Sequence, residues 1–444
     1  MKTFMHSNPI LMSIRPTFFI WAIGLASQAG EPWTLERAEQ LALTNSPDTH
    51  IASRRVAAAD AMLRQANSAA WPKLQLQSAY TRTDNPMMVF GSILNQRAFG
   101  EPPIGPIDFN DVPDIDNLNL KGVVSMPIYA GGQIKNAREA ARAFGQATRE
   151  QAQAVRITLS FEVARAFFTI QKTRQFIRAA EAAVNSFQQN LEVAKRHFEN
   201  GTRLRADVLD LEVRLAQAEE DLLRAKNAHA LALKGLRTLM GIENQEIEVA
   251  DQVPELRPPD KLDLSNRPEL AAARAQIRAA EAEVRRAKGG YLPTVGVFAS
   301  VDHDRGWRSE GDGTSYTAGM LMQWNVFDGQ LTRGKVQEAL ANLETAQETE
   351  RKLKLAFEFE LQQAQLNLRE AEERLRVTEK AVASATESAT LTRARFEQGL
   401  ALTTQLIDSE TALTAARVRH AEAKADYQIA IAALRKAVGL PMLP

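Results

Sequence analysis

RHFENGTRLRADVLD, from Arg196 to Asp210, and RARFEQGLALTTQLID, from Arg393 to Asp408, are two versions of one sentence. Phe198, Glu199, Gly201 and Asp210 correspond to Phe396, Glu397, Gly399 and Asp408, each pair the same distance apart in the chain. In both, a long run with helical periodicity ends at a glycine, the residue that supplies the left-handed backbone of a helix exit. A second helical run follows, for which Thr202, Thr403 and Thr404 offer themselves as N-caps. The chain therefore predicts the same helix–turn–helix twice.

Working outward, the rest of the chain is duplicated too. Asn45-Ser46-Pro47-Asp48 returns as Asn266-Arg267-Pro268-Glu269, and Trp71-Pro72 returns as Leu292-Pro293. Later pairs, from Tyr129 and Phe327 to Gly241 and Gly439, keep a shorter offset, so the first copy carries extra residues between Pro72 and Tyr129. A period of about 200 residues exceeds any solenoid repeat and marks a duplicated fold half. The first copy covers 30–241 and the second 266–444. The Pro-containing stretch 242–265 joins them.

Each copy reads in the same order. A helix (34–70, then 267–289) precedes a strand pair (73–83 and 118–128, then 294–303 and 316–326). A very long helix follows (133–197, then 331–396), and after the glycine turn a shorter one (205–240, then 402–438). The long helix spans about 97 Å at 1.5 Å per residue. Its shorter neighbours nearly match it when stacked end to end, so each copy predicts one continuous helix antiparallel to one composite helix.

The returning helix carries a coiled-coil seam. Leu211, Leu215, Ala218, Leu222, Ala225, His229, Ala232, Leu236 and Leu239 step by four and three, and Ser409, Leu413, Ala416, His420, Ala423, Tyr427, Ala430, Leu434 and Ala437 repeat the pattern. His229 and His420 interrupt it; without a ligand cluster beside either, they read as register-setting polar residues rather than metal ligands.

The strands alternate with period two. Leu74, Leu76 and Tyr80 oppose Lys73, Gln75 and Gln77, and Leu118, Leu120, Val124, Met126 and Ile128 oppose Asn119, Lys121 and Ser125. In the second copy Val295, Val297, Ala299 and Val301 oppose Thr294, Gly296, Ser300 and Asp302. Tyr316, Met320, Met322, Trp324 and Val326 oppose Thr317, Gln323 and Asn325. A soluble sheet with one wet face has the same alternation, but each strand also has the length of a tilted membrane strand. The stretch Asn85–Asn117, which holds the extra residues of the first copy, is rich in Pro, Gly and acids and reads as a loop. Its Met, Val, Ile and Phe residues predict that it packs on the end of the sheet.

Composition narrows the function. Lys+Arg and Asp+Glu are both 54 in 444 residues, so no net charge recruits nucleic acid. Cysteine is absent, which excludes disulfides, thiolate metal sites and Cys nucleophiles. Aromatics are only 6%, a composition suited to long helices. The N-terminus reads as an export signal over 1–29: Lys2 and Arg15, then an apolar run from Phe18 to Ala26, then Ser27 and Ala29 before a cut at Ala29–Gly30. No later segment is apolar for the ~18 residues a membrane helix needs. A membrane span would have to be built of strands. Four strands cannot close a barrel, and an open edge in lipid leaves unpaired backbone groups, so several protomers would have to share one.

No motif points to an enzyme. GQLTRGKV, Gly329–Val336, matches the start of a phosphate loop, but Val336 stands where Ser or Thr would hold magnesium, and the preceding strand alternates instead of being apolar throughout. Gly329 and Gly131 read as turns out of strands. The carboxylates lie among Arg and Lys on helix faces, as in REAEERLR.

Duplication, strand pairs before long helices, the FENGTRLRADVLDLE and FEQGLALTTQLIDSE turns and the terminal LRKAVGLP together resemble the TolC-like outer membrane efflux proteins. The resemblance covers nearly all of the chain after the signal. It implies a mainly α fold with a small β part, and a homotrimer in which three sets of four strands make a twelve-stranded barrel in outer membrane lipid, above a helical tunnel across the periplasm. It implies a passive exit duct of a tripartite efflux pump or type I secretion system, without cofactor or metal, joined to an inner-membrane pump through a periplasmic adaptor. The tips Gly201, Thr202, Arg203, Leu204, Gly399, Leu400, Ala401 and Leu402 would meet the adaptor. The family's acidic aperture residues fall on Gln405 and Asp408. Gln405 departs from the acidic pattern, Ala401 stands where Arg is common, and the first copy carries the fuller set as Arg203, Asp207 and Asp210. The rival reading is a periplasmic coiled-coil scaffold without a pore.

Overall fold

A computed structural model describes residues 32–106, 108, 111–243, 246–251 and 255–443. The export signal 1–29 and the Ala29–Gly30 cut lie outside the described residues. The order is α1 (Leu35–Asn45), α2 (Pro47–Ser68), β1 (Lys73–Thr83), α3 (Pro86–Asn95), β2 (Ile115–Ala130), α4 (Gln133–Glu199) and α5 (Arg205–Leu239). There follow α6 (Pro268–Lys288), β3 (Thr294–Arg305), β4 (Asp312–Gln323), α7 (Leu331–Glu397) and α8 (Thr403–Ala437).

The first helix is broken where one was expected over 34–70. Pro47 cannot donate to the helix ladder and pushes Ser46 into extended backbone (φ −64°, ψ 137°), so α1 stops and α2 starts afresh with Pro47 in its first turn. The two long helices, α4 and α7, have 67 residues each, about 100 Å at 1.5 Å per residue. Against α4 lie α2 and α5, and against α7 lie α6 and α8; α8 and α6 also pack on α4, while α5 barely touches α8. The helices thus form a single layer in which α4 and α8 are flanked on two sides and α5 and α7 are edges.

The composite helices meet at the repeated Asn-x-Pro. A Cβ on Gly241, just past α5, would lie 2.8 Å from the carbonyl oxygen of Asn45, and one on Gly439, past α8, 2.6 Å from that of Asn266. Both glycines also have left-handed φ (68° and 77°), so each position is closed to a side chain on two counts. Asn45 Nδ2 seals the first junction by donating to the carbonyls of Met240 and Gly241. The largest apolar core gathers here, with Leu35, Phe167, Phe168, Leu236, Met240 and Ile431 fully or almost fully buried.

The four strands form one antiparallel sheet in the order β1-β2-β3-β4. β4 begins and ends earlier than expected. Asp312 and Gly313 already pair with Arg305 and Asp304, and pairing stops at Gln323. Trp324 leaves the ladder because its indole N–H donates to the carbonyl of Tyr291 at 3.1 Å, tying the strand end to the turn below. The register places Gln75, Gln77, Asn117, Asn119, Lys121, Ser300, Asp302 and Asp304 on one face, and Leu76, Val124, Met126, Val297, Met320 and Met322 on the other. The second face is bare: Leu76 is 83% and Met320 69% exposed.

The stretch Asn85–Asn117, expected as loop, contains α3. Asn85 Oδ1 accepts the N–H groups of Met87 and Met88, with Pro86 in the first turn, a combination that starts helices. Val89, Ile93 and Ala98 are buried with Ile115 at the end of the sheet. Among the described residues no helix is long and apolar enough to cross a membrane.

Candidate functional site at the paired helix tips

Both glycine turns close alike. Gly201 (φ 71°) donates to the carbonyl of Phe198 and Thr202 to that of His197; Gly399 (φ 75°) donates to Phe396 and Leu400 to Arg395. Each is a Schellman exit with glycine in the left-handed position. The caps differ from expectation. Thr202 donates its hydroxyl to the carbonyl of His197, behind the turn. Thr403 is the first residue of α8, buried, with its hydroxyl unpartnered, and Thr404 follows it inside the helix. The cap positions belong to Leu204 and Leu402. Leucine has no acceptor, so the residue three places on does the work: Asp207 accepts the N–H of Leu204 at 3.2 Å and Gln405 that of Leu402 at 3.1 Å. This is the reaching-back half of a capping box, and it explains why Gln serves in one copy where Asp serves in the other.

The two tips are tied together. The Arg203 guanidinium donates to the carbonyl of Ala401 and lies 4.8 Å from the ring centre of Phe396, which is fully buried. His197 Nε2 lies 3.3 Å from the carbonyl of Glu397. Below them Phe187, Leu191, Val208, Leu211, Leu406 and Ile407 form a common core. Apolar side chains also stand in the open: Leu204, Leu400 and Leu402 are 73, 74 and 62% exposed.

Sequence reasoning missed one pair. Arg393 Nε donates to Glu410 Oε1 at 3.0 Å, and Arg393 Nη2 to Ser186 Oγ on α4 at 3.1 Å. Glu410 is buried. Lys195 and Glu212, at the matching places of the first copy, pair at 3.2 Å but remain exposed. The signal was present in the duplication: each copy has a cation six residues before the turn glycine and a Glu eleven residues after it. Of the aperture candidates, Asp207 and Gln405 are engaged as caps. Asp210 and Asp408 are exposed.

The interrupting histidines sit in the seams as expected. His229 Nδ1 lies 3.0 Å from Thr173 Oγ1, and His420 Nδ1 3.4 Å from Thr378 Oγ1. Burial pushes the His229 imidazole below its usual range, and the nearby Arg174 charge adds to this. Each threonine also donates to its own helix backbone, and its hydroxyl and the ring nitrogen form a cross-helix hydrogen bond. At the phosphate-loop look-alike, Asp328 Oδ2 accepts both the N–H and the hydroxyl of Thr332. A carboxylate already occupies the helix start where a phosphate would bind. Among the described residues no cluster of three or more His, Asp or Glu is placed to hold a metal ion.

Comparison with known proteins fits this geometry. The sequence model of the family described as outer membrane efflux protein matches residues 39–242 and 261–440. The alkaline protease secretion protein AprF of Pseudomonas aeruginosa is 26% identical over 60% of this chain; the match spans 58% of AprF's own length. The pyoverdine export outer membrane protein OpmQ of the same species is 24% identical over 91% of this chain and 84% of its own. The solved outer-membrane channel OprN superposes with a TM-score of 0.79 at 18% identity, covering 92% of this chain and 91% of that one.

Proposed function

The chain belongs to the outer membrane efflux protein family, and from that premise we propose that it is the exit duct of a tripartite efflux pump or a type I secretion system. It is an outer membrane protein, and in this reading three copies make one passive conduit. The observation that carries the proposal is the sheet. Four strands with a bare apolar face and two unpaired edges are unstable both in water and, alone, in lipid. Three copies joined edge to edge remove every edge, turn the apolar face to lipid and enclose the polar one. The edge helices need covering as well: α5 leaves Val213, Leu223 and Leu231 exposed, and α7 leaves Leu355, Phe359 and Leu366 exposed.

The chain is read as a signal over 1–29, repeats over 30–241 and 266–444, and the 242–265 linker. The periplasmic aperture is assigned to Asp408 and Asp210, with Gln405 and Asp207 holding the turns beneath them. The exposed Leu204, Leu400 and Leu402 are the groups a periplasmic adaptor would cover. Gly201, Thr202, Arg203, Gly399 and Ala401 fix the turns that present them. An inner-membrane pump supplies the driving force, and no step of bond chemistry is assigned to the protein. Relatives named for protease secretion and for pyoverdine export leave both kinds of cargo open to this architecture. The test is a gel: detergent-extracted membranes should give a trimer that collapses to monomer only on heating, with a mature chain starting near Gly30. Purification as a stable soluble monomer would overturn it and favour a periplasmic scaffold.

A further inference from the structure

The stretch between β1 and β2 does not extend from the rim of the sheet. It folds back over one face. Ile115 and Asn117 on β2, Asp304 on β3 and Gly313 on β4 are all buried; on the opposite face Tyr80, Arg305, Asp312 and Thr314 are exposed, and Asp116 is buried with its carboxylate accepting the N–H groups of Trp307 and Arg308. The first four share the face of Gln77, Asn119 and Lys121, the polar one. α3 is what covers them. Val89 and Ile93 meet Ile115, and Gln96 Nε2 donates to the carbonyl of Asp116 and to Asn117 Oδ1 while its Oε1 accepts from Ser309. Gly313 makes the seat: a Cβ there would lie 2.0 Å from the carbonyl oxygen of Asn95. Arg97 then reaches the carbonyl of Thr314 on the edge strand β4. The segment leaves one edge strand, crosses the sheet and arrives at the other.

We propose that α3 is an inward-folded constriction of the outer mouth, and that its free face packs against the α3 helices of two further copies of this chain. The inference rests on the trimeric barrel reading above. Closing twelve strands ~4.8 Å apart at a tilt of ~45° gives a barrel about 26 Å across. A helix ~10 Å thick lying across the inner face reaches most of the way from the wall to the axis, a distance of about 13 Å. Three copies of α3 on the inner face would therefore occupy most of the opening. The sequence of α3 suits that place. Val89, Ile93 and Gln96 follow helical spacing toward the sheet, which sets Met87, Gly91 and Leu94 on the opposite side, toward the barrel axis. Met87 is 79% and Leu94 46% exposed in a single chain. An apolar stripe facing a water-filled lumen is covered only where copies meet, and Gly91 lets the helices approach closely.

The chain has no cysteine, so introduced ones report alone. In intact cells carrying Gln77→Cys, on the polar face below α3, a small maleimide added outside should label the protein and a bulky maleimide–polyethylene glycol should not. Gly313→Val, or Val89→Asp with Ile93→Asp, unseats α3 from opposite sides and should admit the bulky reagent. If the bulky reagent labels Gln77→Cys as fast as Gly100→Cys in the native background, the constriction is refuted, whether or not the unseated variants fold. Met87→Cys under mild oxidation should give covalent dimers within the trimer, and their absence would refute the copy-to-copy contact. Leu76→Cys separates this from failure of the barrel itself: equal labelling of Leu76→Cys and Gln77→Cys by the small maleimide would show that the sheet has no lipid face and no lumen.

Discussion

Arg267 shows how much one residue can hold that its neighbours in sequence do not announce. Its counterpart in the first copy is Ser46, yet the Arg267 guanidinium is buried at the junction of α6 and α8. Nε donates to the carbonyl of Ala437 at 2.8 Å, the Nη atoms meet Glu269 and Glu360, and the group lies 3.9 Å from the ring centre of Phe357. It therefore neutralises the end of α8 while two carboxylates neutralise it. Arg267→Ala should destabilise by roughly 3 kcal/mol, the low end for breaking a buried pair because the Glu269 and Glu360 side chains are only partly buried; denaturant unfolding of the purified protein measures it. Glu39 acts in the opposite sense. It is buried, Ser160 donates to its Oε1, and its Oε2 has no partner. Burial pushes its carboxyl above the usual range, against the pull of Ser160 and Arg435. A raised folded value means that the contribution to stability is whole below the unfolded pKa and lost as pH rises through the folded one. Glu39→Gln should therefore melt higher than the native chain at neutral pH, with the difference vanishing near pH ~4. A difference that does not change with pH would show that Glu39 titrates alike in the folded and unfolded chain, so that burial does not raise its pKa. Neither role was legible beforehand, because both depend on which helix end the chain brings alongside.

At the scale of elements the sequence was a good guide wherever period and punctuation agreed. The long helices, the glycine exits and the inner face of the seams followed from spacing alone, since Leu211, Ala218, Ala225 and Leu236 are buried as the heptad requires. It misled where period outran geometry. The alternation through Trp324 and Val326 continues past the last paired residue, because a side-chain hydrogen bond, invisible to periodicity, turns the chain away. α3 was hidden by its Pro and Gly neighbours, although Asn85-Pro86 is itself a start signal. Half of each turn was readable: glycine gave the exit, but the caps fell to Asp207 and Gln405 because leucines hold the cap positions. The sheet offers the sharpest test at this scale. Val124, Met126, Val297 and Met322 share the bare face, while Gln75 and Gln323 lie on the other. Arg at Val124 or Val297 should cost roughly 2–4 kcal/mol near the bilayer midplane, read as loss of heat-stable trimer. Arg at Gln75 should be tolerated. Similar losses at both sets would mean that the sheet is not in lipid.

At the scale of the molecule the question is which hairpin tip surrounds the axis. α8 is packed from two sides, by α7 and α4, and Asp408 stands out from it between buried Ile407 and buried Glu410. That side chain has no capping duty, whereas Gln405 one turn earlier does. Threefold symmetry would gather three such carboxylates, and like charges held close raise the local potential and draw cations. A carboxylate near the start of α8 would also favour the helix through its dipole, by about 0.3–1 kcal/mol. Asp408→Asn separates the two roles. As an aperture group, its loss should lower cation preference and relieve divalent-ion block in planar-bilayer conductance, with thermal stability almost unchanged. As a helix-start charge, it should move stability and leave selectivity alone. Arg203 complicates the picture usefully, because it ties the first-repeat tip to Ala401 at the root of α8, so the two hairpins share one rigid end. Selectivity that survives Asp408→Asn but disappears when Asp207→Asn and Asp210→Asn are combined would place the first-repeat hairpin at the axis and α8 behind it. Asp207→Asn alone keeps an acceptor for the Leu204 N–H, so that loss would reflect charge and not a broken turn.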